Sequence, residues 1–168
     1  MKKKRVLFLD LDGTLIKTKT GKTFPEGIWD MEIQMDVVEA IKRLSPEFIH
    51  ICTNQGGIQK GFVIREHFES EIEYIANCLK ELIKNDNVYW DYCDSLSKSD
   101  SRRKPNTGLL ENFRKSLKMF HSFEFENEEA LMVGDASGNP GDFSDSDLRT
   151  AENFGCDYLD VKEFIKKV

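Results

Sequence analysis

Short apolar runs alternate along the chain with longer segments in which apolar residues recur every three or four positions. Val6–Leu9 is wholly apolar, a pattern typical of a strand buried on both faces of a parallel sheet. Four later runs predict further strands at residues 48–52, 88–92, 130–133 and 158–159. The helical spacing predicts helices over residues 37–44, 65–83, 109–117 and 148–154, the third of them opened by Pro105.

Strands that alternate with helices predict a three-layer, Rossmann-like α/β fold, with a mainly parallel central sheet and helices on both faces. The length of 168 residues, without a linker-like stretch in the sequence, indicates one domain over residues 1–168. In such sheets, ligands bind beyond the carboxyl ends of the strands. The polar residues that follow each apolar run are therefore the candidates for chemistry.

Composition and charge exclude several classes of protein. No stretch approaches the roughly 18 apolar residues of a membrane span, and the apolar run after residue 5 is too short for a signal peptide. The basic residues 2–5 are expected to form a solvated tail at the sheet edge opposite the site. Lys and Arg number 24 against 30 Asp and Glu, and this net charge of −6 argues against a protein that coats nucleic acid.

The cysteines indicate a cytoplasmic location. The chain has four of them, without a CxxC pair or the spacing of a metal site, so we expect reduced thiols. The three histidines, His50, His67 and His121, also lack a ligand-like grouping and are expected to be structural or surface residues.

Polar residues occur in the expected places along the predicted sheet. In chain order these residues are Asp10, Asp12, Thr53, Lys104 and Asp135. Taken singly, each is better explained as a turn or a solvated loop. Together, an acid pair, a hydroxyl, a lysine and a further acid at one edge of a sheet predict phosphoryl transfer through an aspartyl-phosphate, with Mg²⁺ bound by carboxylates.

These residues resemble the four motifs of the haloacid dehalogenase-like (HAD) phosphatases. The matching segments are Asp10-Leu11-Asp12-Gly13-Thr14, Thr53, Lys104 and Gly134-Asp135. With an acid at position 12, the motif resembles that of the phosphatases of the superfamily rather than that of its ATPases or dehalogenases. Further segments resemble the polynucleotide kinase 3′-phosphatase branch: Gly21-Lys22-Thr23-Phe24-Pro25, Thr53-Asn54-Gln55-Gly56-Gly57, Arg103-Lys104-Pro105 and Asp142-Phe143-Ser144.

The resemblance implies roles for the residues that carry it. Asp10 is the expected nucleophile, and Asp12 is the expected general acid and base. Thr53, the main-chain N–H of Asn54, and Lys104 are expected to bind the phosphoryl oxygens.

The resemblance also implies a Mg²⁺ ion held by Asp10, the main-chain carbonyl of Asp12, and Asp135. In related phosphatases an acid stands where this chain has Asn139. Asp142 or Asp147 is therefore expected to support the metal, and the sequence leaves both open.

The implied substrate is a polynucleotide end that carries a 3′-phosphate, as arises in DNA repair, bound in a site with little or no cap. Candidate contacts to the nucleic-acid backbone are Lys22, Lys60, Arg102 and Arg103. The alternative is a small-metabolite phosphatase of the histidinol-phosphate or heptose-bisphosphate type, although the Cys/His zinc loop usual there is missing from the sequence. A catalytically inactive binding module is a third hypothesis, which the intact motif set disfavours.

Two further motifs are predicted to carry no chemistry. Gly21-Lys22-Thr23 resembles the end of a P-loop, but Ile16 stands where that loop needs glycine, so we predict no kinase site. The aromatic residues at 120–125, with Trp29 and Trp90, are predicted to pack in the fold rather than stack on bases.

Overall fold

A five-stranded parallel sheet forms the centre of the computed structural model, which describes residues 3–168. The strands are β1 (Val6–Leu9), β2 (Ile16–Thr18), β3 (Met31–Ile33), β4 (Phe48–Asn54), β5 (Val88–Cys93), β6 (Ala130–Gly134) and β7 (Asp157–Asp160). The sheet has the order β5-β4-β1-β6-β7, and every neighbouring pair is parallel. β2 and β3 form a separate antiparallel hairpin.

Helices cover both faces of this sheet. They are α1 (Met35–Leu44), α2 (Gly56–Gln59), α3 (Arg65–Ile83), α4 (Gly108–His121), α5 (Ser146–Phe154) and α6 (Val161–Lys167). α1, α3 and α6 pack on one face, and α4 and α5 pack on the other. The predicted three-layer α/β fold is therefore confirmed. In the described part of the chain, none of these helices has the length and apolar character needed to span a bilayer.

β1 lies in the middle of the sheet and is fully buried. Its side chains alternate between two cores: Leu7 and Leu9 face α1 and α3, whereas Phe8 faces α4 and α5. The Phe8 ring meets Phe113 and Phe154 edge-on, with centroid separations of 6.1 and 5.4 Å. The chain adds β4 and β5 on one side of β1 and then adds β6 and β7 on the other side. The strand order therefore reverses at β1, and the carboxyl end of β1 lies at the switch point where such folds bind ligands.

The predicted boundaries differ from the structure mainly in the loop after β5. Pro105 was expected to open a helix, but α4 begins at Gly108, and Pro105 follows a cis peptide bond. The reason is local: the Gly108 amide donates to the Ser101 carbonyl, so the chain folds back in a series of turns before the helix begins.

The expectation of a solvated N-terminal tail is wrong for Lys4 and Arg5. Lys4 is buried, pairs with Asp157 and donates to the Glu128 carbonyl at 2.6 Å. Arg5 pairs with Glu47 at 2.8 Å. Glu47, directly before β4, and Asp157, at the start of β7, lie at the same sheet edge and bind these cations. Lys2 lies outside the described residues.

His50, in β4, is a buried histidine stacked on Phe113, with ring centroids 4.3 Å apart. Neither ring nitrogen has a hydrogen-bond partner in the described part of the chain. Desolvation by this burial lowers the pKa of His50 to about 3. The ring therefore stays neutral in the folded protein at pH values where it is charged in the unfolded chain.

Because of His50, the free energy of unfolding is expected to fall by about 2 kcal/mol from pH 7 to pH 5. The unfolded chain binds a proton near the ordinary histidine pKa of about 6.5, which the folded protein cannot do until near pH 3, so acid favours unfolding. Urea denaturation at both pH values measures the effect. The His50→Phe variant should lack this part of the pH dependence, and an equal loss in both proteins would contradict the assignment.

Candidate active site

A buried lysine joins two aspartates at the carboxyl edge of the sheet. Lys104 Nζ donates to Asp10 Oδ1 at 2.7 Å and to Asp147 Oδ1 at 2.6 Å. Asp10 directly follows β1, Lys104 lies in the loop after β5, and Asp147 lies in the first turn of α5. All three side chains are buried.

Three carboxylates converge beside this lysine. Asp10, Asp135 and Asp147 can each place an oxygen within 4.8 Å of the others. Asp135 is brought there because β6, which it follows, pairs with β1. Clustered carboxylate oxygens are the donor set that suits a hard divalent cation such as Mg²⁺.

Two glycines make the close approach of these acids possible. A side chain at Gly13 would overlap the Asp135 carboxylate, and the backbone there has a positive φ of 77° that favours glycine. A side chain at Gly134 would overlap the Asp147 carboxylate. The space that a Cβ would fill is thus occupied by the acidic groups of the site.

The pKa values indicate that one ammonium group does not neutralise the acids. Burial raises the pKa of Asp12, and burial together with the Asp147 carboxylate raises that of Asp135 to about 6. Burial also raises the pKa of Asp10 well above its ordinary value, although Lys104 opposes this. Burial would lower the pKa of Lys104, but Asp10 and Asp147 outweigh it and raise that pKa. A shortage of positive charge among oxygen donors is the environment that a divalent cation fits.

Gln55, for which the sequence predicts no role, links Asp12 to Thr53. Its Nε2 donates to Asp12 Oδ2 at 2.9 Å and to Thr53 Oγ1 at 3.0 Å. This holds the Asp12 carboxylate toward the end of β4. The available signal was the polar run Thr53-Asn54-Gln55 after a buried strand, but only the structure shows which carboxylate the amide contacts.

Asn54 holds the backbone of Lys104 in place. Its Oδ1 accepts from the Lys104 amide at 2.9 Å, and its Nδ2 donates to the Lys104 carbonyl at 3.0 Å. The side chain therefore orients the lysine loop rather than pointing to a ligand. The main-chain N–H of Asn54 remains the group proposed to bind a phosphoryl oxygen.

Asp147, and not Asp142, is the additional acid that the structure brings to the cluster. Besides Lys104, Asp147 accepts from the Ala136 amide at 3.1 Å. Asp142 Oδ2 instead accepts from the amides of Ser137 and Asn139 at 3.2 and 2.9 Å, within the loop that follows β6.

Most of the cations proposed to contact the nucleic-acid backbone bind neighbouring groups of the protein itself. Lys22 pairs with Glu26, and Arg103 donates to the Ser95 carbonyl at 2.9 Å. Lys60 is exposed and makes no ion pair within residues 3–168.

Arg102 is the most strongly engaged of these cations. It pairs with Asp94 at 2.9 Å and with Asp100 at 2.8 Å. Binding of a phosphate by Arg102 would therefore require it to exchange these partners.

The fold and the arrangement of acids define a class. A D,D-heptose 1,7-bisphosphate phosphatase from B. bronchiseptica, solved with magnesium and phosphate, superposes with a TM-score of 0.66 at 18% identity, covering 92% of this chain and 78% of that one. A HAD-like phosphatase from Mesorhizobium loti gives a TM-score of 0.64 at 22% identity, covering 91% of this chain and 69% of that one. The chain thus has the HAD-like phosphatase fold.

The sequence comparisons identify the family within this class. The model of the family described as polynucleotide kinase 3 phosphatase matches residues 5–165, and the chain belongs to that family. A bifunctional polynucleotide phosphatase/kinase from Schizosaccharomyces pombe is 33% identical over 97% of this chain, which spans only 38% of that protein. A probable D-glycero-D-manno-heptose-1,7-bisphosphate 7-phosphatase from Thermoplasma volcanium is 28% identical over 83% of this chain and 91% of that one.

Proposed function

We propose that this protein is a Mg²⁺-dependent phosphomonoesterase that works through an aspartyl-phosphate on Asp10 and removes 3′-phosphates from polynucleotide ends. The observation that carries the proposal is the buried cluster in which Lys104 joins Asp10 and Asp147, with Asp135 beside them. Residues 1–168 are proposed to act as one catalytic domain, in a cytoplasmic enzyme of nucleic-acid repair.

The reaction has two displacements at phosphorus. In the first, an Asp10 carboxylate oxygen bonds to phosphorus as the ester P–O bond breaks, and Asp12 gives its proton to the leaving oxygen. In the second, Asp12 takes a proton from the attacking water, whose oxygen bonds to phosphorus while the Asp10–phosphorus bond breaks. Burial raises the pKa of Asp12, which favours the protonated form needed first. A positioned acid or base of this kind contributes about 10²–10⁴-fold.

The remaining residues bind charge and hold the reacting groups. The Lys104 ammonium, the Thr53 hydroxyl and the Asn54 N–H are proposed to bind phosphoryl oxygens. Asp147 fixes the position of Lys104 through their 2.6 Å ion pair.

The metal site would use oxygen donors next to the nucleophile. Mg²⁺ would be held by Asp10, Asp135 and the main-chain oxygen of Asp12. When bound, Mg²⁺ neutralises phosphoryl charge.

The substrate proposal rests on the family and on the open sheet edge. Family membership and the S. pombe relative support a polynucleotide end. Between β1 and α1 the chain inserts the β2–β3 hairpin and no larger domain, which leaves room for a polymer. The Thermoplasma relative supports the second candidate, a sugar bisphosphate.

A direct comparison of substrates tests the proposal. The protein is incubated with a 3′-phosphorylated oligonucleotide, the matching 5′-phosphorylated oligonucleotide, histidinol phosphate and D-glycero-D-manno-heptose 1,7-bisphosphate, with Mg²⁺ or with EDTA. We expect phosphate release to be fastest from the 3′-phosphate and to require Mg²⁺. Preference for either metabolite or for the 5′-phosphate would contradict the substrate, and full activity in EDTA would contradict the metal.

A further inference from the structure

Two exposed phenylalanines meet above the carboxyl edge of the sheet. Phe24 is 55% exposed and Phe143 is 84% exposed. Their rings touch edge to face, with centroids 6.2 Å apart and an interplanar angle of 87°. This contact joins the loop of the β2–β3 hairpin to the loop after β6, although neither ring is buried by it.

The loop that carries Phe24 is built around a buried acid. Asp30 has no exposed surface, and its carboxylate accepts from the amides of Thr20 and Glu26 at 2.8 and 3.1 Å. It also accepts from the Thr20 hydroxyl at 2.9 Å. The exposure of Phe24 is therefore a property of an ordered turn.

The loop that carries Phe143 is organised in the same manner. Asp142 accepts from the two loop amides described above, and the Gly138 amide donates to the Ser144 carbonyl at 3.1 Å. Phe143 lies four residues before Asp147, so its loop leads directly into the cluster that holds Lys104. Two ordered loops thus present aromatic faces to solvent next to the proposed reaction site.

We propose that the Phe24–Phe143 pair binds the base of the nucleoside that carries the 3′-phosphate. An edge-to-face pair leaves ring faces free, and every base has a π-face that stacks on an aromatic side chain. The phosphate group lies among Asp10, Thr53 and Lys104, so the attached nucleoside has to leave the site past its rim. This inference rests on the proposed function, and it assigns the recognition of the terminal base to these two residues.

The test compares two 3′-phosphorylated oligonucleotides that differ only in having a base or an abasic sugar at the last position. For the unaltered protein, we expect the KM to be about ten-fold lower with the base present. Phe24→Ala and Phe143→Ala should each raise the KM for the first oligonucleotide toward that of the abasic one, with kcat changed less than about two-fold, as expected when binding alone is lost. Phe143→Trp, which keeps an aromatic face, should retain the low KM.

Phe120→Ala serves as the control, because Phe120 is also exposed but lies in the last turn of α4, toward the opposite sheet edge. It should leave both KM values unchanged. Equal KM values for the two oligonucleotides, or no effect of the Phe24 and Phe143 variants, would overturn the inference while leaving the 3′-phosphatase proposal intact. Hydrolysis of p-nitrophenyl phosphate without hydrolysis of either oligonucleotide would instead overturn the proposed substrate, and this inference with it.

Discussion

The Asp10→Asn variant is expected to lose turnover of a 3′-phosphorylated oligonucleotide by about 10⁴-fold or more. An amide has almost the same size as a carboxylate but is a poor nucleophile, so the aspartyl-phosphate cannot form at a useful rate. The fold should persist because Lys104 retains its ion pair with Asp147. Phosphate release measured over hours, together with circular dichroism of the variant, gives both quantities.

The matched control is Asp145→Asn, the same chemical change two residues before Asp147. Asp145 pairs with Arg149 at the protein surface, at 3.0 Å, and lies outside the acidic cluster. Its turnover should stay within about two-fold of the unaltered protein, as is usual for surface substitutions. If Asp10→Asn kept more than a tenth of the original turnover, Asp10 would not be the nucleophile.

Lys104→Met is expected to lower the free energy of unfolding by about 3–5 kcal/mol at neutral pH without divalent cations. The change leaves Asp10 and Asp147 buried without the ammonium group that now contacts both. Removal of one partner from a buried ion pair is costly because the remaining charge is neither solvated nor compensated. Urea denaturation followed by tryptophan fluorescence measures the loss.

Lys98→Met is the control for this prediction, since Lys98 belongs to the same loop, is exposed and makes no ion pair in the described part of the chain. It should change stability by less than about 0.5 kcal/mol. A double-mutant cycle with Asp147→Asn adds a second criterion. Because the two residues are in contact, their effects should be less than additive, and strict additivity would show that the ion pair contributes nothing.

The elements with a strong apolar period were predictable from the sequence. The prediction for α3 was Arg65–Ile83, as observed, because one face of that segment is apolar over its whole length. β2 and β3 were not predicted, since each has only three residues and mixed polarity, and their pairing depends on the loop between them. α6 was also missed, although Val161 and Phe164 have helical spacing and are buried.

The sequence predicts which strand ends carry the residues of the candidate site, but not which side chains contact one another there. Parallel strands carry their carboxyl ends to one edge, which is why Asp10, Thr53 and Asp135 come from the expected places. The choice between Asp142 and Asp147 depends on the path of a loop, which no periodicity encodes. The ion pairs of Arg102 were equally unpredictable, because they depend on which acids its turn approaches.

The ion pairs of Lys104 connect residues 94 and 43 positions apart in the chain. They form only when β5 and β6 have both joined the sheet around β1, because no local segment contains two members of the network. Contacts between such distant residues carry a large loop-closure cost and tend to form late in folding. We therefore expect charge changes in this cluster to alter the unfolding rate far more than the folding rate, so that the residues proposed for catalysis also contribute to how long the folded state persists.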